Sequence, residues 1–160
     1  MPDWLIALED NPVADAMRYW RWAYPAVNTG HILGIALLFG AIVPLDLRLI
    51  GLWRTIPIES LARVLVPVAA TGLGLALATG PLLFLVDPLN YAGLAVFRLK
   101  LVLIVLGAIN VMMVHRSPHW RSAETANPAM VIDYSLMAAG LISLLVWLLV
   151  IVCGRLIAYL

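Results

Sequence analysis

Two ionisable residues lie in apolar stretches of this chain, where side chains able to do chemistry are rare. His31 lies in NTGHILGIALLFG, residues 28–40, and Lys100 lies at the start of another apolar stretch. An ionisable side chain inside a membrane span is costly, and it therefore indicates a binding site, a proton pathway or a buried ion pair. A neutral imidazole is also a good ligand for iron. His31 and Lys100 are therefore the first candidates for a functional site.

The composition of the chain is that of a membrane protein. Of its 160 residues 64% are hydrophobic and 12% are charged, whereas a soluble domain has about a quarter charged residues. Three stretches without Asp, Glu, Lys or Arg are 21 to 24 residues long, and about 20 helical residues cross the hydrocarbon core of a bilayer. A fourth stretch, between Lys100 and Arg116, has 15 residues, so a crossing there must take in Lys100. These stretches are continuously apolar rather than alternating, which predicts helices.

We expect an all-α integral membrane protein, a four-helix transmembrane bundle preceded by an interfacial amphipathic helix. Residues 1–22 mix Trp, Tyr and Leu with both charges, which is typical of a segment that lies among lipid headgroups. The transmembrane domain is expected to cover residues 23–160, with Pro25 in the first turn of its first helix and Ser60 capping the second. The four helices are predicted at about residues 25–51, 61–86, 93–115 and 130–156.

Four crossings place both ends of the chain on one side of the membrane, called side A here. The loops 52–60 and 116–129 then lie on the other side, called side B. Lysines and arginines are divided equally between the sides, so the positive-inside rule does not choose an orientation. The acidic N-terminal segment favours side A outside. We therefore expect a multi-pass protein of the bacterial inner (cytoplasmic) membrane with periplasmic termini.

Several classes of protein are disfavoured by the sequence. The single cysteine, Cys153, rules out an internal disulfide. A net charge of +1 with no basic cluster gives no indication of nucleic-acid binding. The N-terminal segment has no short apolar core followed by a small-residue cleavage site, so no cleaved signal peptide is expected.

His31 and Lys100 are predicted to lie at similar depth, near side A. The first and third helices run in the same direction, and each residue is six or seven positions from the side A end. Gly34 shares a helical face with His31, and Gly107 shares one with Lys100. These glycines would leave space for a flat ligand or for a close helix contact of the small-xxx-small type. For His31 the alternative is a hydrogen bond across helices, to Thr79 or to a backbone carbonyl, and for Lys100 it is snorkelling to side A.

A second set of polar residues is expected toward side B. Asp46 follows His31 by 15 residues and His115 follows Lys100 by 15, which is about 22 Å along a helix. His31 and His115 therefore cannot both ligate one haem iron within a single chain.

The other members of this set have two interpretations. Asp46 and Arg48 are expected to form interfacial ion pairs with Arg116 or Arg121, and Asn110 and Asp133 lie at the same end of the bundle. A soft-metal site is the second interpretation. Its ligands would be Met112, Met113, His115 and His119.

Two stretches resemble a widespread family of small bacterial four-helix membrane proteins of uncharacterised function. They are YPAVNTGHILGIALLFGAIVPLDLRLIG, residues 24–51, and FRLKLVLIVLGAINVMMVHR, residues 97–116. The shared pattern is an aromatic-Pro start, His-x-x-Gly in the first helix, Asp-Leu-Arg-Leu at its end, and Phe-Arg-x-Lys at the start of the third. More remotely, the layout is similar to HemJ-type protoporphyrinogen oxidases and to the copper-resistance D membrane domain.

The resemblance implies a haem b site near side A. In the HemJ type, a histidine of the first helix and a lysine that opens a later helix are the essential pair, and haem b is bound. On matching positions, His31 would be the axial ligand of the iron, and Lys100 would lie near the porphyrin edge or the carboxylates of a substrate as the candidate catalytic residue. The haem propionates would meet cations at side A, and Gly34 and Gly107 would leave room for the ring. These cations are Arg98, Arg21, Arg18 and Arg155.

The sequence supports two functions of different classes. The first is a haem b-binding membrane protein with a redox or porphyrin-related role, such as a haem-dependent oxidoreductase. The iron would be five-coordinate, ligated by lysine, or given a sixth ligand from elsewhere, because no second histidine or methionine lies at the depth of His31. The second is a non-enzymatic transporter or assembly subunit. In it, His31 and Lys100 either have a structural role or transfer protons. In either case the glycine-rich faces predict a homo-oligomer or a subunit of a larger membrane complex.

Overall fold

The computed structural model describes residues 8–9, 11–118, 120 and 134–160, and the regular structure in these residues is helical. Four of the helices are long and apolar enough to cross a membrane, which confirms the predicted all-α, multi-pass membrane bundle. In chain order the helices are α1 Pro12–Tyr19, α2 Ala23–Ile50, α3 Ile58–Phe84, α4 Pro88–Gly93, α5 Ala95–Arg116 and α6 Tyr134–Leu156, followed by a 3₁₀ turn, Ile157–Tyr159.

The helix boundaries depart from the prediction where proline sets the backbone. α3 begins at Ile58 after Pro57, so Ser60 lies inside the helix and does not cap it. The turn between α3 and α5 contains the short helix α4, which the sequence did not predict. Asp87 caps α4 by accepting a hydrogen bond from Asn90 N, and Pro88 occupies its first position, where the missing N–H does no harm. The predicted start of the fourth helix at residue 130 lies outside the described residues.

The amphipathic helix α1 packs across the side A ends of α2 and α3. It buries Ala14 and Met17, and Asn11 caps it by accepting a hydrogen bond from Val13 N at 2.8 Å. The guanidinium of Arg18 donates to the carbonyl oxygens of Leu85 and Val86, at 3.5 and 3.0 Å. These carbonyls follow the end of α3, where backbone acceptors lack helical partners. Of the predicted interfacial segment, residues 1–7 and residue 10 lie outside the described part.

Helix α2 is the centre of the bundle because it packs along both α3 and α6. Its contact with α3 is very close, since a Cβ atom at Gly72 would lie 2.5 Å from Leu38 N and one at Gly34 would lie 2.8 Å from Ala76 N. Real side chains do not approach backbone so closely, so both positions need glycine for the helices to pack as they do. The α2–α3 pair is therefore a small-residue contact.

Helices α3 and α5 stay apart along most of their length, whereas α5 packs closely against α6. Side chains join α3 and α5 at their two ends. At side A the rings of Phe84 and Phe97 stack with centroids 5.2 Å apart, and at side B Val66 and Val114 pack against the cluster that contains Trp120. A cavity lies between these two closures, in the half of the bundle toward side B.

Candidate functional site

The imidazole of His31 is held by α3. Its Nδ1 atom lies 2.9 Å from Thr79 Oγ1, and that hydroxyl donates to the carbonyl oxygen of Leu75 at 2.7 Å. A hydroxyl has one proton, so the imidazole is the donor in its bond to Thr79. Nδ1 therefore carries the proton, and the lone pair of Nε2 is available to a metal ion or a proton donor.

The ring of His31 also packs against the backbone of α3. A Cβ atom at Gly80 would lie 3.4 Å from His31 Cε1, and one at Gly30 would lie 3.5 Å from the methyl group of Thr79. The hydrogen bond to Thr79 is the alternative that the sequence analysis left open for His31. It does not exclude metal binding, because a ligating histidine ordinarily donates its other N–H to a neighbouring group.

Lys100 lies partly buried against α6 near side A. A Cβ atom at Gly154 would lie 3.8 Å from Lys100 Nζ. The charge of Lys100 also acts on the imidazole of His31. Within the described residues the ammonium has no hydrogen bond or ion pair. The structure thus places a free imidazole nitrogen and an unpaired ammonium in one region near side A.

The two glycines predicted beside these residues lie in helix contacts. Gly34 faces the backbone of α3, as described above. A Cβ atom at Gly107 would lie 3.1 Å from the indole of Trp147 and 3.3 Å from Val146 Cγ1. Both positions are therefore covered by neighbouring helices. This corresponds to the interpretation in which the glycines allow close helix contacts rather than leave space for a ligand.

The side A arginines differ in their availability. Arg18 is engaged by the carbonyls after α3, and Arg155 donates to Tyr159 Oη at 2.7 Å. Arg21 is exposed with its guanidinium over the ring of Trp22, 5.3 Å from the centroid. Arg98 is exposed and forms no ion pair with the described residues. Arg21 and Arg98 are thus the two that remain available at the surface.

The expected ion pairs of Asp46 and Arg48 are not formed within the described part of the chain. Both side chains are buried, at 6% and 7% relative exposure. The carboxyl group of Asp46 faces α6 and interacts with the hydroxyl of Ser143, because Gly140 lets α2 approach α6 closely. The guanidinium of Arg48 donates to the carbonyl oxygen of Ile56 at 2.7 Å and so stabilises the loop after α2. Asp133 and Arg121 lie outside the described residues.

His115 is bonded within its own helix, and the soft-metal site of Met112, Met113, His115 and His119 stays a prediction. Its Nδ1 atom lies 2.9 Å from the carbonyl oxygen of Val111, and its ring packs against Trp120 with centroids 4.7 Å apart. The predicted partner Met113 is exposed, and His119 lies outside the described residues. The described side chains contain no group of three or more His, Cys, Asp or Glu that could hold a metal ion.

The cavity between α3 and α5 was not predicted from the sequence. Asp46, Asn110 and His115 were recognised as polar positions, but Asp46 was assigned to an ion pair, His115 to a soft-metal site and Asn110 to neither. The structure turns all three toward one cavity, which Ser143 and Trp147 of α6 also line. The last apolar stretch contains a hydroxyl, that of Ser143, and an indole N–H, that of Trp147. These two polar groups could have indicated a polar site inside the bundle.

No protein-family model, curated protein or solved structure matches this chain. The resemblance that the two motifs suggest therefore stays a prediction. The function of the chain is inferred from the geometry of the described residues. That geometry offers two separate places for chemistry, the His31–Lys100 region near side A and the cavity toward side B.

Proposed function

We propose that this chain is a haem b-binding membrane protein in which Nε2 of His31 is the axial ligand of the iron. The observation that carries the proposal is the hydrogen bond from His31 Nδ1 to Thr79 Oγ1. It leaves Nε2 as the free nitrogen and orients the ring from the neighbouring helix, which is how proteins commonly prepare a ligating histidine. Haem at this position would supply one-electron chemistry inside the bilayer.

The cations near side A would neutralise the carboxylates of the porphyrin. Lys100 has no partner among the described residues and acts electrostatically on His31, so its ammonium is available to a propionate or to a substrate carboxylate. Arg98 and Arg21 are available at the surface and would take the same role nearer to water. Gly34 and Gly107 do not enter this site, since neighbouring helices cover them.

An absorption spectrum of the purified protein tests this proposal. After expression with excess haem precursor, we expect a Soret band that is lost in His31→Ala and kept in His115→Ala, because His115 lies about 22 Å away along the bundle axis. A wild-type protein without a Soret band would refute haem binding, and a Soret band retained in His31→Ala would show that another residue is the ligand. Lys100→Met should retain haem with an altered spectrum or lowered occupancy.

The second function predicted from the sequence is a non-enzymatic transporter or assembly subunit. It requires no chromophore, and it predicts substrate-dependent or proton-dependent flux in liposomes that contain the colourless protein. The same preparations give the oligomeric state by light scattering, for which we propose a homo-oligomer or a subunit of a larger complex. We further propose the bacterial inner membrane with side A outside, which cysteine labelling at side A positions would test.

A further inference from the structure

The cavity between α3 and α5 is lined by three buried polar atoms that have no hydrogen-bond partner among the residues the structure describes. Its volume is about 370 Å³, and α2 and α6 form its back wall. The walls are almost entirely apolar, yet Asp46 Oδ2, His115 Nε2 and Trp147 Nε1 are each buried without a hydrogen bond among the described residues. Asp46 and Trp147 are themselves 6% and 4% exposed. Buried polar atoms without partners are uncommon because each costs free energy, so three around one cavity indicate a guest that completes their bonds.

The three atoms specify the chemistry of that guest. The indole N–H of Trp147 can only donate, so the guest needs an acceptor. His115 Nδ1 donates to the carbonyl of Val111, so Nε2 is an acceptor and the guest also needs a donor. Asp46 lies between them and can accept a hydrogen bond from the guest. An oxygen-bearing molecule that both donates and accepts would satisfy all three.

The positions of these residues along the bundle require polar groups at both ends of the guest. Asp46 faces Ser143, and Trp147 lies four residues farther along α6, about 6 Å deeper in the membrane. His115 is at the other end, one residue before the end of α5. The walls between these positions are apolar. The guest therefore has an apolar body that separates two polar groups.

The rim of the cavity faces the lipid. Ala70 on α3 and Met112 on α5 line the cavity and are also exposed on the outside of the bundle. The guest can therefore enter from the bilayer between these two helices. A volume of about 370 Å³ falls within the range of sites for small molecules and holds a ring with part of an attached chain.

We propose that this cavity binds a lipid-soluble quinol. A ring with two hydroxyl groups on opposite sides matches an apolar body with two polar ends. One hydroxyl can donate to His115 Nε2, and the other can accept from the N–H of Trp147 while it donates to Asp46. A lipophilic cation would satisfy Asp46 but would leave the N–H of Trp147 without an acceptor, and a plain acyl chain would leave all three atoms unpaired. The proposal concerns binding only and does not depend on haem at His31.

Binding of decylubiquinol to the full chain in phosphatidylcholine nanodiscs, under anaerobic conditions that keep it reduced, tests the proposal. The amount of quinol that remains with the nanodiscs after separation is measured by chromatography, with empty nanodiscs as the baseline. We expect saturable binding of one quinol per chain, unchanged in Trp22→Phe, which alters an exposed aromatic residue at side A. Trp147→Phe removes the N–H together with one of the two indole rings and should weaken binding at least tenfold, which is the effect of one lost hydrogen bond.

Two further variants keep the test decisive if Trp147→Phe unfolds. Ala70→Phe fills the exposed rim without entering the packed core and should abolish saturable binding. His31→Ala removes the proposed haem ligand and should bind decylubiquinol as the wild-type does, so a failure of the haem proposal is distinguished from a failure of this one. Loss of quinol binding in His31→Ala would place the quinol at side A and overturn the cavity site.

Several results would contradict the proposal. No binding above empty nanodiscs would overturn it, and so would equal binding by the wild-type and Ala70→Phe. Saturable binding of tetraphenylphosphonium that is lost in Asp46→Asn, in place of decylubiquinol binding, would show that the cavity takes a lipophilic cation instead.

Discussion

His31 on α2 and Thr79 on α3 are joined by a hydrogen bond of 2.9 Å between Nδ1 and Oγ1. The hydroxyl of Thr79 is anchored in turn to the carbonyl oxygen of Leu75, one helical turn earlier. The orientation of the imidazole is therefore set by a helix other than its own. A change that shifts α3 against α2 should consequently alter any ligand bound to His31.

Replacing Thr79 with valine should weaken haem binding if the proposed site is correct. Valine has nearly the shape of threonine but no hydroxyl, so Nδ1 would lose its acceptor while the packing stays. Loss of such an outer partner typically lowers affinity about 10-fold to 100-fold. The measurement is haem content per protein and the position of the Soret band. Thr79→Ser keeps the hydroxyl and serves as the control. Equal haem content in all three proteins would show that the bond does not support ligation.

Replacing Gly72 with alanine should destabilise the bundle. The new methyl group would lie 2.5 Å from Leu38 N and 2.7 Å from Gly34 O, so α2 and α3 would have to separate, at a cost of about 1 to 3 kcal/mol. Thermal unfolding in detergent measures the change. Gly74→Ala on the same helix is the matched control, because nothing lies within 4 Å of its added Cβ. It should be neutral or stabilise by up to about 1 kcal/mol. A stable Gly72→Ala protein would contradict the close contact.

Replacing Arg18 with glutamine should loosen the amphipathic helix α1 from the bundle. The variant loses the charged donor that reaches Leu85 O and Val86 O, and hydrogen bonds from charged groups contribute about 1.5 kcal/mol or more. Faster hydrogen exchange in α1 and at the end of α3 would report the change. Arg63→Gln is the control, since Arg63 is exposed and, within the described residues, pairs only with Glu59 on its own helix, a contact worth at most about 1 kcal/mol. If the two variants exchange alike, Arg18 does not hold α1 in place.

Ionisation of the phenol of Tyr91 should make the protein less stable at alkaline pH. Burial, then the charges of Tyr24 and Asp87, raise the pKa of Tyr91 above its ordinary value of 10.0. The folded protein therefore favours the neutral phenol of Tyr91. The stability that this neutral form contributes is complete below the pKa that Tyr91 has in the unfolded chain, and it is lost as the pH rises through the pKa that Tyr91 has in the folded protein. Between about pH 8 and about pH 11 the wild-type should therefore lose more stability than Tyr91→Phe, whose ring still packs with Phe84 and Phe97. Parallel pH curves for the two proteins would refute this role.

The extent to which the sequence predicts this protein differs between its spans and its sites. Long charge-free stretches predicted the four crossings, because a bilayer requires about 20 apolar helical residues whatever their neighbours are. The cap of α3 and the short helix α4 were missed, since both depend on how a proline sets the local backbone. Thr79 or a backbone carbonyl was named as the partner of His31 in the alternative to ligand binding, and the structure contains the bond to Thr79.

Asp46 shows why the cavity toward side B could not be predicted from the sequence. Its place near the end of an apolar stretch predicted a surface ion pair, yet the close approach of α2 to Gly140 turns its carboxyl group to Ser143 and into the bundle. The rotation of one helix against another is decided by packing that is distant in sequence. No local pattern in the first span contains that information.

The sequence by itself determined the membrane class, the number of spans, and the presence of ionisable residues at two depths, because these follow from the free energy of transfer to lipid residue by residue. Only the tertiary structure decided which helices touch. It joined α2 to α3 through Gly34 and Gly72, left α3 and α5 apart, and so collected the unpaired atoms of Asp46, His115 and Trp147 around one cavity. Hydrophobicity places a helix in the bilayer, but the shapes of the facing side chains determine its neighbours, and those neighbours determine where a ligand can bind.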